Sequence, residues 1–219
     1  DYPVKEAVAS KAYRSLGIGV TNFAGFLANQ MVSYADAKEI THELFERLMY
    51  SLLKASNTLA KERGRAFAFV RTKYSWGVMP IDSYNKNVDN ITKAKYVCDW
   101  NTLRDEIKEH GLRNCTLMAL MPCETSSQVS NSTAGIEKIR SGIVVKQSKN
   151  GTYNQVAHKF ADNRLFYDYA WDVKPGSNKD YLALTCIMQK FVDQAISVNT
   201  YYNPFIYQTN KVPMSEIFD

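Results

Sequence analysis

The chain has 219 residues, 45% of them hydrophobic, with Lys+Arg 27 against Asp+Glu 22 and a formal net charge of +5. That composition excludes a disordered chain and supplies the core of one large domain or two small ones. The basic residues are scattered, with no run longer than a doublet, so a polybasic tail is excluded and nucleic-acid binding is not demanded.

Lys5 to Met31 carries helical spacing, with Ala7, Ala12, Leu16, Phe23, Phe26 and Leu27 able to share faces. Leu16-Gly17-Ile18-Gly19 interrupts it, as a break or a close backbone approach. GIGV is only a fragment of a dinucleotide fingerprint, and no strand pattern precedes it, so nucleotide binding there is not expected.

Asp36 to Arg63 reads as the longest helix, with Ile40, Leu44, Leu48, Leu52 and Leu59 as its apolar stripe and Gly64 as its stop. His42 has no second ligand at metal spacing and is expected on the surface or in packing. Phe67 to Tyr74 reads as a short strand or extended segment, and Trp76 to Ile91 as a polar loop punctuated by Gly77 and Pro80. Asp99 or Asn101 can cap a helix running to His110, which Gly111 ends.

An apolar strand to Met121 follows directly, and Pro122 then opens a run of hydroxyl, carboxylate and amide side chains, NCTLMALMPCETSSQVSNS from Asn114 to Ser132. Helix feeding strand feeding helix is the signature of an α/β fold with a mainly parallel sheet. In such sheets ligands sit beyond the carboxyl ends of strands, where Pro122, Cys123, Glu124, Thr125 and Ser126 fall. Unpaired backbone N–H groups at a helix start favour a phosphate, and Thr125, Ser126 and Ser127 can add hydroxyl donors. Ser and Thr are also the ordinary N-cap residues of helices that bind nothing, and a carboxylate such as Glu124 repels phosphate unless it turns away.

Ile143 to Val145, a turn at Asn150-Gly151, and Tyr153 to Val156 suggest a projecting β-hairpin. Asp162 to Trp171 looks helical and Pro175-Gly176 is a turn. Asp180 to Asn199 reads as a second strong helix, with Leu184, Ile187, Met188, Phe191, Val192 and Ile196 on its apolar face. Pro213, Ser215 and Glu216 look like the opening of a further helix that Asp219 cuts short, and no Met precedes Asp1, so the chain is expected to be a piece of something longer.

Cys98, Cys115, Cys123 and Cys186 show no CxxC spacing and no paired histidines, so neither a zinc site nor a dithiol motif is expected. Reduced thiols in a cytosol are the simplest reading. Cys115 and Cys186 are expected to act as small buried hydrophobes, leaving Cys123 as the thiol a ligand could touch. No apolar stretch approaches the roughly 18 residues that cross a bilayer, and no secretory signal is read at the start, so neither membrane contact nor export is expected.

Five ordered blocks carry a resemblance: YRSLGIGVTNFAGFLA from Tyr13, LLKASNTLAKERG from Leu52, HGLRN from His110, MPCETSSQVSN from Met121, and IMQKFVDQAISVNT from Ile187 on to KVPM. Nearly end to end the chain resembles the C-terminal part of the catalytic large subunit of class I ribonucleotide reductase, of the bacterial or phage type. The resemblance implies α/β architecture, with this chain as the second half of a ten-stranded α/β barrel. It implies an enzyme that converts ribonucleoside diphosphates into deoxyribonucleotides by thiyl-radical chemistry, with Pro122, Cys123, Glu124, Thr125 and Ser126 holding the substrate's diphosphate.

By the same resemblance, the partners are the upstream half of the large subunit, a second large subunit in a dimer, and a radical-generating small subunit, in the cytoplasm of a bacterium or a phage-infected cell. The family uses a metal-tyrosyl radical in that small subunit and a thioredoxin or glutaredoxin reductant, and no cofactor or metal is expected on this part. The family's radical-bearing cysteine and its companion residues match nothing here, and Cys123 is rejected as a substitute because relatives can carry serine there. Tyr201-Tyr202 is likewise rejected as the radical-transfer pair, because it follows Asn199-Thr200 and precedes Asn203-Pro204, a segment that lies before that pair in the family. Two other readings remain: a non-catalytic assembly fragment of a split large subunit, and a cobalamin-dependent or anaerobic reductase, for which no cobalamin site or glycyl-radical motif is visible.

Overall fold

The computed structural model describes residues 4–149, 151–174, 176–208, 211–212 and 214–218. Asn150, Pro175 and Pro213, on which two turns and the last helix start were placed, lie outside the described residues, as do Asp1 and Asp219. In chain order the helices are α1 (Lys5–Ser10), α2 (Phe23–Asn29), α3 (Lys38–Arg63), α4 (Trp100–His110), α5 (Ser126–Val129), α6 (Phe160–Asn163), α7 (Ser177–Gln189), α8 (Pro204–Tyr207) and α9 (Ser215–Phe218). The strands are β1 (Ile143–Ser148) and β2 (Gly151–Val156). The chain divides into two compact units, one made of the segments up to Ile18, Glu39–Leu120 and Cys186–Ile196, the other of Gly19–Lys38, Met121–Thr185 and the chain from Ser197 onward.

In the first unit α3 is the long helix expected, and Gly64, at φ +78°, ends it in the left-handed region that glycine enters without strain. The leucine stripe does not form its buried face. Phe45, Met49, Leu53 and Ala60 are buried together with Thr41, His42, Glu46, Ser56 and Asn57, while Ile40, Leu44, Leu48, Leu52 and Leu59 flank that face half-buried. Several of these polar residues find partners in the core: Ser56 Oγ donates to Asn114 Oδ1 at 2.9 Å, and Asn57 Nδ2 donates to the carbonyl of Gly111 at 2.9 Å, whereas Thr41 Oγ1 and Asn57 Oδ1 have no partner among the described residues.

Phe67 to Tyr74 is not a strand but a pair of 3-10 turns, Phe67–Arg71 and Lys73–Trp76. With no neighbouring strand, these amides close locally, as in Thr72 N–H to the Phe69 carbonyl at 2.9 Å. The loop to Ile91 likewise winds into short turns at Pro80–Asp82 and Lys86–Asn90. α4 matches its sequence limits: Asp99 accepts the Thr102 amide at 3.1 Å, and Gly111 follows at φ +78°.

The apolar segment after α4 runs extended beside Ile18, with a parallel bridge Ile18↔Met118 and Ile18 N–H donating to the Leu117 carbonyl at 2.9 Å. The mainly parallel sheet stops at that bridge and at a second one, Ile139↔Tyr169, in the other unit; the one multi-residue ladder among the described residues is antiparallel. α7 ends at Gln189 rather than Asn199. Gln189 Nε2 donates to the carbonyls of Val192 and Gln194 at 3.1 and 3.0 Å, folding the chain back while Phe191 and Val192 stay buried.

In the second unit the hairpin forms as expected, with register Ile143↔Val156 through Ser148↔Gly151. The helix expected over Asp162 to Trp171 shrinks to α6, because the following residues are used in tertiary bonds. Asp168 accepts the Tyr34 amide at 2.6 Å, and Ala170 N–H donates to the Ile139 carbonyl at 2.8 Å. Buried Tyr34 anchors this unit, its ring edge-on to Phe23 at 5.7 Å and its hydroxyl donating to the Ile136 carbonyl at 2.9 Å.

Candidate functional site

The Pro122 to Ser126 bend lies wholly in the second unit, on a floor built from two segments distant in sequence. Asn22, in the left-handed region at φ 63°, donates its amide to the Thr133 carbonyl at 2.8 Å and accepts the Thr133 amide on Oδ1 at 3.1 Å. Gly135, at φ +53°, accepts the Phe23 amide at 3.2 Å, and its own N–H donates to Cys123 Sγ at 2.9 Å. The thiol therefore points into the protein and is 8% exposed, which corrects the expectation that a ligand could touch it. Cys186, expected to be buried, is instead the exposed cysteine.

On this floor the chain makes a single tight turn. The Cys123 carbonyl accepts Ser127 N–H at 2.9 Å and the Thr125 carbonyl accepts Gln128 N–H at 3.2 Å, which closes α5. Ser127 is fully buried and its hydroxyl donates to the Glu124 carbonyl at 3.1 Å, so it is a strut of the turn and not the free donor expected. Pro122, Glu124, Thr125 and Ser126 are exposed. Among the described residues, the amide N–H groups of Glu124, Thr125 and Ser126 donate to no protein acceptor. Three successive free amides at a turn start, beside the exposed Thr125 hydroxyl, form a cradle suited to an anion, while the Ser126 hydroxyl donates at 3.4 Å to the Cys123 carbonyl.

The hairpin stands over this bend. Alternation along β1 turns Val144 and Lys146 inward and leaves Ile143, Val145 and Gln147 exposed. Lys146 Nζ comes within 3.5 Å of Glu124 Oε2, and Arg140 Nη2 lies 3.4 Å from Glu124 Oε1. Tyr153 on β2 donates its hydroxyl to Gln128 Oε1 at 2.6 Å. A cavity of about 100 Å³ opens between bend and hairpin, bordered by Glu124, Thr133, Arg140, Val144 and Lys146. The Glu124 carboxylate is thus turned toward two cations, the orientation that a phosphate neighbour requires. Sequence reasoning missed both cations. Lys146 left a signal, as the charged member of the inward set of β1; Arg140 lies in irregular chain and left none.

Among the described residues no group of three or more His, Cys, Asp or Glu could hold a metal ion, and no helix is long and apolar enough to cross a membrane.

A family model described as ribonucleotide reductase, barrel domain, matches residues 1–219. The chain belongs to that family. It is 53% identical over 218 residues to the ribonucleoside-diphosphate reductase subunit alpha of Enterobacteria phage T4, covering 100% of this chain and 29% of the relative. It is 50% identical to the protein of that name from Haemophilus influenzae, over 98% of this chain and 28% of the relative. Against ribonucleoside-diphosphate reductase 1 subunit alpha of Escherichia coli K12 the identity is 48%, over 99% and 29%. The chain therefore spans less than a third of the length of these reductase subunits and matches them as a part of the large subunit.

Proposed function

We propose that this chain is part of a ribonucleoside-diphosphate reductase large subunit and that its Pro122 to Ser126 bend binds the diphosphate of the substrate. The observation that carries this reading is the run of free amide N–H groups at Glu124, Thr125 and Ser126 on the exposed side of the bend. Those groups recognise phosphate oxygens without reading a base, so one cradle serves all ribonucleotides.

In this reading the chain supplies the second half of a ten-stranded barrel, and the rest of the subunit supplies the other half. A thiyl radical removes the hydrogen from C3′ of the ribose, the 2′-hydroxyl leaves as water, and a cysteine pair supplies electrons. None of these roles falls on a residue of this chain. The bend's contribution is aim: binding energy from a non-reacting diphosphate holds the sugar where the reacting carbon meets the sulfur, an advantage that oriented reactions turn into several kcal/mol. The radical originates in a small-subunit metal-tyrosyl site, reducing equivalents arrive from a thioredoxin or glutaredoxin, and the enzyme works in the cytoplasm.

Ser126→Asp in the full-length subunit tests the reading. A carboxylate at the first position of α5 suits the helix dipole, so the fold is kept, but it repels a diphosphate at the free amides. Equilibrium binding of a ribonucleoside diphosphate is expected to weaken about tenfold or more at an unchanged melting temperature. Unchanged affinity overturns the assignment of the bend.

A further inference from the structure

We infer that Arg140 and Lys146 are positioning residues for the anion site, acting through Glu124: they hold its carboxylate away from the amides that the substrate needs. This rests on the diphosphate reading above and adds to it the device that makes an acidic residue tolerable inside a phosphate cradle.

Glu124 carries one of the three free amides and has an anionic side chain of its own. A carboxylate at a turn start is drawn to unpaired N–H groups, because capping them satisfies orphan donors and the dipole together. Left alone, Glu124 would be a tethered competitor for the same donors, present at an effective concentration that a free nucleotide cannot match. It does not cap them. Its Oε1 lies 3.4 Å from Arg140 Nη2 and its Oε2 lies 3.5 Å from Lys146 Nζ, so each carboxylate oxygen has a cation.

Two cations facing one carboxylate leave an excess of one positive charge beside the bend. That sign favours an incoming diphosphate. Lys146 is placed by strand alternation, on the inward side of β1, and Tyr153 on β2 fixes the hairpin to Gln128 one turn beyond the amides. The side chains of Glu124 and Arg140 are each about half exposed (52% and 53%), so the pairing is modest in strength, enough to bias an orientation rather than to hold up the fold.

The experiment uses the full-length subunit and equilibrium binding of a ribonucleoside diphosphate at low salt. Arg140→Gln with Lys146→Gln is expected to weaken binding roughly tenfold, and the loss should shrink as ionic strength rises. Adding Glu124→Gln to that pair is expected to restore most of the affinity, because the competitor is gone although the tether to the hairpin is still broken. An unchanged affinity in the double variant overturns the inference. So does a loss that persists in the triple variant, which would mean that the two cations act on the phosphate directly or only support the hairpin. Failure of the diphosphate reading itself shows separately, as wild-type affinity in Ser126→Asp, a variant outside this ion cluster.

Discussion

Tyr74 donates its hydroxyl to Asp193 Oδ2 at 3.1 Å, and the same oxygen accepts the Leu117 amide at 2.9 Å while Oδ1 accepts the Met118 amide at 3.1 Å. Burial raises the Asp193 pKa above its usual value, and the hydrogen bonds from Leu117, Met118 and Tyr74 offset part of that rise. An acid whose folded pKa is raised binds its proton more tightly when folded. Its stabilising contribution is complete below the unfolded value of about 3.9 and is lost as pH rises through the elevated folded value. Asp193→Asn should therefore flatten the part of the stability curve that falls with pH above about 3.9, read from urea midpoints across pH 4 to 7. Parallel wild-type and variant curves would refute it.

Lys190, 3% exposed, bonds Asp89 at 2.8 Å and lies 3.4 Å from His42 Nε2, under the rings of Tyr84 and Tyr96. Burial lowers the His42 pKa first, and the Lys190 charge lowers it further, against smaller opposing effects of Glu46, Asp89 and Glu39. Lys190→Met removes the charge and keeps the stem volume, so the His42 titration should move up toward the ordinary histidine value of about 6.5. A base with a depressed folded pKa contributes stability above its unfolded value that is lost as pH falls through the folded one, so the acid-side loss should also diminish. Histidine ring signals followed by NMR, assigned through His42→Gln, give the answer; an unmoved titration rules the coupling out.

Glu46, wholly buried on α3, accepts the amides of Val97 and Cys98 at 2.9 Å each and the indole N–H of Trp100 at 3.0 Å. Glu46→Leu fills the space and strands three donors. At about 1–3 kcal/mol for each unsatisfied buried group, a loss of about 3 kcal/mol or more is expected, with Glu46→Gln costing less because one acceptor oxygen survives. Urea unfolding of both variants decides the ranking, and equal losses would show that packing rather than acceptance matters.

The difference between Glu46 and the leucines on the same helix also shows what was legible in the sequence. Helix limits were readable where a cap or a glycine carries them, as at Asp99, Gly64 and Gly111, and the hairpin was readable from alternation and a turn. The buried face of α3 was not, because apolar spacing points to a leucine stripe, whereas burial follows partners supplied from residues 96–114 that no local pattern announces. The other misses have different causes: the amides around Phe67 close in local turns, the Gln189 side chain takes the Val192 and Gln194 carbonyls at the end of α7, and after Asp162 a tertiary bond takes the Ala170 amide to the Ile139 carbonyl. At the bend, the residue types gave the exposed amides and hydroxyls. The inward thiol depends on Gly135, and the two cations on Glu124 come from Arg140 in the irregular chain before β1 and from Lys146 on the hairpin, none of which a local pattern at the bend announces.

Cys123 is the sharpest case, since a thiol in a ligand loop invites a chemical role and the structure gives it a supporting one. Its Sγ is the acceptor for the Gly135 amide at 2.9 Å, and the Phe23 amide bonds the Gly135 carbonyl, so one sulfur links the bend to the start of α2. Cys123→Ala leaves that amide buried without a partner and should cost about 1–2 kcal/mol, while Cys123→Ser retains an acceptor and should cost less. The same geometry makes Cys123 slow toward a maleimide in the folded protein; Cys186, which is exposed, should label faster than Cys123, although burial pushes its thiol pKa up. Urea midpoints of the two variants and mass-spectrometric mapping of the labelled thiols test both statements, and rapid labelling of Cys123 in the native state would show that the bend opens to solvent.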